Sequence, residues 1–304
     1  MPSYLYTPDQ VLHSDKSQVG AKALNIAQLS KITGTPTAHV VGSAWHDLYR
    51  EKGVDGLTDL SEWLAKMPSD NYAVRSSGTV KAGEVTLFED GVGLSMAGWF
   101  ESIIGVACGE LFDAIISCYD SVDSFRIQRM IEALGRKSED VSLAIILQPY
   151  VPAIRSAVLY TVDPFRPEPG TYMLASGTWG ACHALVAGET TGDTYRIPRD
   201  GGSPQLIRIS AKPWTWVLDE GAGLIRKPTP SAQVKAPCLT SDDLVSLKEI
   251  GLLLERHFGQ PQDVELVHSG SAWVPIQSRP LQRAASVATL RRTLSGPAST
   301  VRGA

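Results

Sequence analysis

Cysteine is scarce in this chain and long apolar runs are absent, and each shortage narrows what the protein can be. The four cysteines, Cys108, Cys118, Cys182 and Cys238, are scattered along 304 residues. None forms a Cys-x-x-Cys pair or a zinc spacing, so reduced, buried thiols in a cytoplasmic protein are expected. No apolar segment approaches the length of a membrane helix, and the polar start Met1-Pro2-Ser3-Tyr4 lacks the form of a signal peptide. There is no basic excess: 28 Lys and Arg against 32 Asp and Glu leave a net charge of −4. That balance offers no field for nucleic acid. Internal repeats are also missing, which excludes solenoid architectures.

What is present is ordinary globular composition, 43% hydrophobic and 20% charged, on a chain long enough to bury a sizeable core. Apolar spacing predicts a helix over 20–32, stopped by Gly34 and Pro36, a short strand at His39–Val41 and a helix over 43–51. Asn71 to Arg75 reads as a strand ending in a Ser-Ser-Gly turn, followed by a long loop from Lys81 to Gly98. Helices are expected over 108–117 and 121–135, and strands at Leu143–Leu147, 156–162 and 170–175. Thr240 caps a helix running towards His257 and Gly259. From Arg283 to Ala304 there are four arginines and no acid, so this end reads as a basic, disordered tail following a domain over 1–282.

Chemistry concentrates near the C-terminus. Asp263 and Glu265 alternate on an expected strand, so both carboxylates lie on one face. A turn through Ser269-Gly270-Ser271 leads to a second strand, Ala272 to Ile276, ending at Gln277 and Arg279. Paired carboxylates beside an amide oxygen suit a hard cation such as Mg2+, and an adjacent arginine suits phosphate oxygens. A nucleotide triphosphate site needs that combination. The same residues also describe a surface hairpin with a solvated salt bridge.

Further segments, in order, decide between these. They are Val19-Gly20-Ala21-Lys22-Ala23-Leu24, Ala73-Val74-Arg75-Ser76-Ser77-Gly78-Thr79, Ala97-Gly98-Trp99-Phe100-Glu101, and Gln148-Pro149-Tyr150-Val151 running on to Thr161-Val162-Asp163-Pro164. Closed by the Asp-x-Glu and Gln-x-Arg-Pro hairpin, they resemble the N-terminal nucleotide-binding domain of phosphoenolpyruvate synthase and pyruvate phosphate dikinase, also found in rifampicin phosphotransferase. The resemblance covers roughly residues 15 to 281.

That resemblance implies an α+β ATP-grasp fold with mixed sheets clamping ATP. Residues near the N-terminus and from about 200 to 281 are expected on the wall opposite the 143–188 segment. It implies phosphate contacts from Lys22, Arg75, Arg279 and the more weakly matched Arg126, and adenine contacts near Gln148, Tyr150 and Val151. Because Pro149 has no N–H, Tyr150 or Val151 must supply any backbone donor there. Asp263, Glu265 and Gln277 are the implied Mg2+ ligands, with Glu265, Gln277 and Arg279 also facing the nucleotide. The family's Gly-Gly-Lys-Gly stands here as Gly20-Ala21-Lys22-Ala23, and its Gly-Leu-Gly-Glu is replaced around Ser176–His183. Counting back from Gly188, His183 takes the glutamate's place, as a base, a phosphate carrier or a packed residue.

The relatives continue into a swivelling phosphohistidine domain and a phosphoenolpyruvate domain, neither of which fits in the tail. The expected activity is therefore ATP-dependent phosphoryl transfer to a small-molecule acceptor without that internal relay. The alternatives are a subunit phosphorylating a histidine on a separate protein, and a nucleotide-binding regulator without turnover. No nucleic-acid or membrane partner is expected.

Overall fold

The computed structural model describes residues 4–82, 85–90, 98–165, 171–219 and 222–281. The expected tail over 283–304 and residues 91–97 of the expected loop lie outside the described residues.

The N-terminal half builds one six-stranded sheet. Its strands are β1 (Leu5–Tyr6), β2 (His39–Val41), β3 (Asn71–Ala82), β4 (Val85–Phe88), β5 (Ser102–Ala107) and β6 (Val141–Pro149). The order is β1-β2-β6-β3-β4, and β3 is long enough to pair with β5 along its first half and β4 along its second. The expected Ser-Ser-Gly turn is therefore not a turn. Ser76, Ser77 and Gly78 continue the strand, bonded in register to Ile145, Ala144 and Leu143 of β6. Arg75 consequently sits within a strand rather than at its end. The expected loop from Lys81 also begins as a hairpin, with Val80 opposite Leu87.

Helices α1 (Pro8–Val11) and α2 (Lys16–Ile32) cover one face of this sheet, and α3 (Ser43–Lys52), α4 (Thr58–Leu64), α5 (Leu111–Asp120) and α6 (Phe125–Ala133) build the other side. Covered on both sides, β6 has no polar face to show, which explains its continuous apolar run. Val141, Leu143, Ile145 and Leu147 enter the core shared with α5 and α6, while Ala144 and Ile146 meet α2. The two middle helices start three and four residues later than their apolar spacing predicted, α5 with its length unchanged and α6 shorter, because Cys108–Glu110 and Ser121–Asp123 form 3-10 turns ahead of them.

The second half forms another six-stranded sheet, ordered β10-β9-β8-β7-β13-β14. It comprises β7 (Arg155–Tyr160), β8 (Tyr172–Trp179), β9 (Asp193–Pro198), β10 (Gln205–Arg208), β13 (Gln262–His268) and β14 (Trp273–Pro280). A short helix α7 (His183–Val186) follows β8, a hairpin of β11 (Trp214–Asp219) and β12 (Gly223–Pro228) stands beside the sheet, and α8 (Ser241–Phe258) packs on its back. Thr240 caps α8 by accepting the Asp243 N–H, and Gly259 ends it in the left-handed region. Every strand pair among the described residues is antiparallel, and the mixed pairing expected reduces to one isolated parallel bridge, Gly180 to Trp216. The expected division of the walls is corrected as well. Strands β7 and β8 lie in the same sheet as β13 and β14, and the chain passes from wall to wall between Pro149 and Arg155.

Helix α2 wedges between the sheets, with Val19, Ala23 and Ile26 in the core of the first and Leu29 in that of the second. Its path breaks at Gly20, at φ 77° and ψ 166°, a conformation essentially reserved for glycine. The break brings the helix against β3 so closely that a Cβ on Gly20 would fall 2.1 Å from Ser77 Oγ and 2.7 Å from the Ser77 carbonyl oxygen. Gly20→Ala should therefore cost at least about 1–3 kcal/mol, measurable by urea unfolding; an unchanged midpoint would mean that the helix approaches β3 less closely.

Candidate functional site

The front face of the second sheet carries two polar rungs. Register places Tyr160, Asp263 and Arg279 in line across β7, β13 and β14, with Val158, Glu265 and Gln277 in the next rung. Intervening residues, Leu159, Val264 and Leu266, point back into the core under α8. The period-two reading of Asp263 and Glu265 is thus the arrangement found, and the second strand of the hairpin runs on past Ile276 to include Gln277 and Arg279.

Glu265, Gln277 and Arg279 of these rungs line a cleft of about 390 Å3 together with Lys22 from α2, Arg75 from β3 and Arg126 of α6, whereas Tyr160 and Asp263 line a second cavity that shares Glu265 and Arg279 with it. Lys22 and Glu265 line the same cavity. Arg75 Nη1 donates to Gln277 Oε1 at 2.7 Å and lies 3.5 Å from Glu265 Oε2. Arg279 clasps Asp263 Oδ2 through Nε and Nη2 at 2.8 and 2.7 Å. Arg126 Nη2 is held by the carbonyls of Gly98 and Trp99, both at 2.8 Å. The far end of the cleft is apolar, with Ala73, Ile104, Val151, Val267 and Ile276 in its walls. Gln148 fastens the sheets together, its Nε2 donating to the Ile276 carbonyl at 3.2 Å. The Tyr150 N–H is committed to the Asn71 carbonyl at 2.9 Å, which leaves Val151 as the backbone donor at this end.

Two acidic residues had no signal in the sequence that set them apart. Glu89 is fully buried, with Oε1 2.6 Å from Lys22 Nζ and Oε2 accepting the Gly78 N–H at 3.1 Å. Asp90 accepts from Gln277 Nε2 at 2.9 Å and lies 3.7 Å from Arg279 Nη1. They escaped notice because the reach from the β3–β4 hairpin to α2 and β14 depends on the packing of both sheets. The adjacency of two acids after an apolar strand was the only available clue.

Burial and pairing set the charges. Burial pushes the Glu89 and Asp263 carboxyls above the usual range, opposed by Lys22 and by Arg279 respectively. Burial works against the charge of Arg279, but Asp263, Asp90 and Glu265 outweigh it and hold the guanidinium above its ordinary value. Cys182 at the cleft wall is pushed well up by burial, which argues against a thiolate nucleophile. His183 opens α7 at the rim, its ring edge-on to Trp216 with centroids 5.9 Å apart and Nε2 3.8 Å from Glu189 Oε1.

Among the described residues no group of three or more acidic, histidine or cysteine side chains is clustered as a ready metal cage. The donors that do converge, two carboxylates and an amide oxygen, are all hard oxygens. Asp263 Oδ1 is buried without a hydrogen-bond partner in the structure, and so is Arg75 Nε. A cation at the first and an anion at the second would satisfy both, so the residues present fit a magnesium nucleotide.

Comparison with known proteins agrees with this geometry. The model of the pyruvate phosphate dikinase AMP/ATP-binding domain matches residues 55–293, which includes Arg75 and both rungs but not Lys22. A probable phosphoenolpyruvate synthase of Archaeoglobus fulgidus is 29% identical over 69% of this chain and 26% of its own length. The rifampicin phosphotransferase of Bacillus subtilis is 30% identical over 75% of this chain and 25% of its own. The prodigiosin synthesizing transferase PigC of Serratia marcescens is 26% identical over 69% and 22%. The chain thus spans about a quarter of the length of the curated relatives it matches. With its α+β sheets, its cleft and this match over most of its length, the chain belongs to the pyruvate phosphate dikinase AMP/ATP-binding domain family and has its ATP-grasp type of fold.

Proposed function

We propose that this chain binds Mg-ATP in the cleft and moves a phosphoryl group from it to a small-molecule acceptor. The observation that carries the reading is the gathering of Glu265, Gln277 and Arg279 with Lys22 and Arg75 around one cavity with an apolar far end. The flat base enters that end and meets the Val151 N–H; the phosphates point towards Lys22, Arg75, Arg126 and Arg279. Glu265, Gln277 and Asp263 are the residues that would hold Mg2+, which would supply positive charge to offset that of the phosphates. Four cationic side chains stand against the carboxylates Glu89, Asp90, Asp263 and Glu265, so the empty balance is near neutral and a bare triphosphate would leave a large negative excess. Nucleotide binding is therefore expected to depend strongly on divalent cation. Transfer itself relies on positioning and electrostatics, with Lys22 and the arginines stabilising charge on the moving group.

Identifying the nucleotide product tests the proposal. ADP with a phosphorylated small molecule supports direct transfer, whereas AMP plus phosphate supports passage through a histidine on another protein. Nucleotide bound without turnover in the presence of acceptor candidates would reduce the chain to a binding module. Absence of metal-dependent nucleotide binding would overturn all three.

His183, beside Glu189 at the rim, is proposed to move the acceptor's proton. His183→Ala should then lower turnover by roughly a hundredfold or more with nucleotide affinity little changed. Normal turnover in the folded variant would assign the ring to packing against Trp216.

A further inference from the structure

The Gln277 amide is held from both sides by groups of opposite hydrogen-bonding character. Arg75, which can only donate, meets Oε1 at 2.7 Å, and the Asp90 carboxylate, which accepts, meets Nε2 at 2.9 Å. The amide therefore has one orientation, with its oxygen on the side of Arg75 and Glu265. Asp90 is buried, and it is the sole non-glycine residue at positive φ among the described residues, at 59°. Strain of that kind persists only where the surroundings over-determine it. Here they do: Glu89, one residue earlier, is locked to Lys22 Nζ and to the Gly78 N–H and carbonyl, and the Asn25 amide reaches the Asp90 carbonyl at 3.5 Å. Asp90 does not line the cleft; it stands behind the residues that do.

We infer that Asp90 is a positioning residue: its carboxylate, carried over from the β3–β4 hairpin, fixes the Gln277 amide with oxygen towards the divalent cation and steadies Arg279 beside it. An amide rotated the other way would present two N–H donors to the cation and to Arg75, both of which repel them. Outer partners of metal ligands act in this manner, and losing one typically weakens metal binding by about 10–100-fold. The inference rests on the proposed magnesium-nucleotide site.

Asp90→Asn keeps the size of the side chain but removes the obligatory acceptor, and Asp90→Gly removes the carboxylate while relieving the backbone. Titrating Mn2+ into each protein with a non-hydrolysable ATP analogue, and following free Mn2+ by its spin resonance, measures the cation's affinity directly. Both variants should bind Mn2+ about 10–100-fold more weakly than the natural chain. Analogue affinity without metal should stay within about threefold, since no phosphate-binding cation is removed. Glycine losing the effect of strain on folding but not the Mn2+ defect would separate the carboxylate's role from the turn's. If both variants bind Mn2+ as the natural chain does, whatever their melting temperatures, the inference is overturned and the magnesium-nucleotide reading stands. If the natural chain itself binds no Mn2+ with the analogue, both fall together.

Discussion

Glu265→Gln is expected to lower phosphoryl transfer by about a hundredfold to a thousandfold, comparable to removing a principal electrostatic contact in an active site. Glutamine keeps the shape and one oxygen acceptor but removes the charge that faces both the cation and Arg75, 3.5 Å away. The alanine variant would be a poorer test. Arg75 is buried, and its Nε already lacks a hydrogen-bond partner. Deleting the carboxylate outright would strand a buried guanidinium, and stability would fall along with turnover. With glutamine an oxygen still faces Arg75, so unfolding should shift less than in the alanine variant, and the loss should appear in kcat at saturating nucleotide. Raising Mg2+ should recover part of it. Gln277→Ala should show a similar loss of turnover, because Gln277 supplies the third oxygen and also holds Arg75. Turnover within tenfold of the natural chain in the Glu265→Gln protein would show that this hairpin serves the architecture alone.

The hairpin was legible because its information is local. Alternation alone puts Asp263 and Glu265 on one face, and strand pairing then sets Gln277 and Arg279 opposite them. The cap at Thr240 and the stop at Gly259 were legible for the same reason. Ser76-Ser77-Gly78 misled because two serines and a glycine resemble turn chemistry. Their actual use is smallness: Gly20 of α2 approaches Ser77 so closely that larger residues would not fit, and a Cβ on Gly78 would strike the Phe100 ring at 2.3 Å. The division into walls was not legible either, since nothing local tells β7 to pair with β13, a hundred residues on. Glu89 and Asp90 illustrate the general limit. A carboxylate's partner is chosen by the packing of distant segments, so its role emerges only when both sheets are in place.

The largest effect on stability is expected from Lys212, whose ammonium is wholly buried against Asp193 at 2.6 Å. Asp193 also accepts the N–H groups of Ser210 and Cys238, at 2.8 and 2.9 Å, and lies 3.4 Å from the Tyr195 hydroxyl. This cluster ties the start of β9 to the segment leading into α8, and so braces the sheet that carries both rungs. Lys212→Met removes the charge while keeping much of the length, leaving a buried carboxylate without its cation. Breaking a buried pair from one side costs about 3–5 kcal/mol, enough to unfold a marginal protein near body temperature. Burial alone would raise the Asp193 carboxyl; Lys212 and the two N–H groups outweigh it and hold the carboxyl below its ordinary value. A depressed carboxyl contributes stability that is present above its unfolded value, near pH 4, and lost as pH falls through the folded one. The natural chain should therefore lose this contribution below about pH 4, and Lys212→Met should already lack most of it at pH 7. Urea unfolding of both proteins between pH 3 and 7 should show their midpoints converging towards the acid end. A constant gap across that range, or none at pH 7, would show that the ion pair contributes nothing that its neighbours do not already supply.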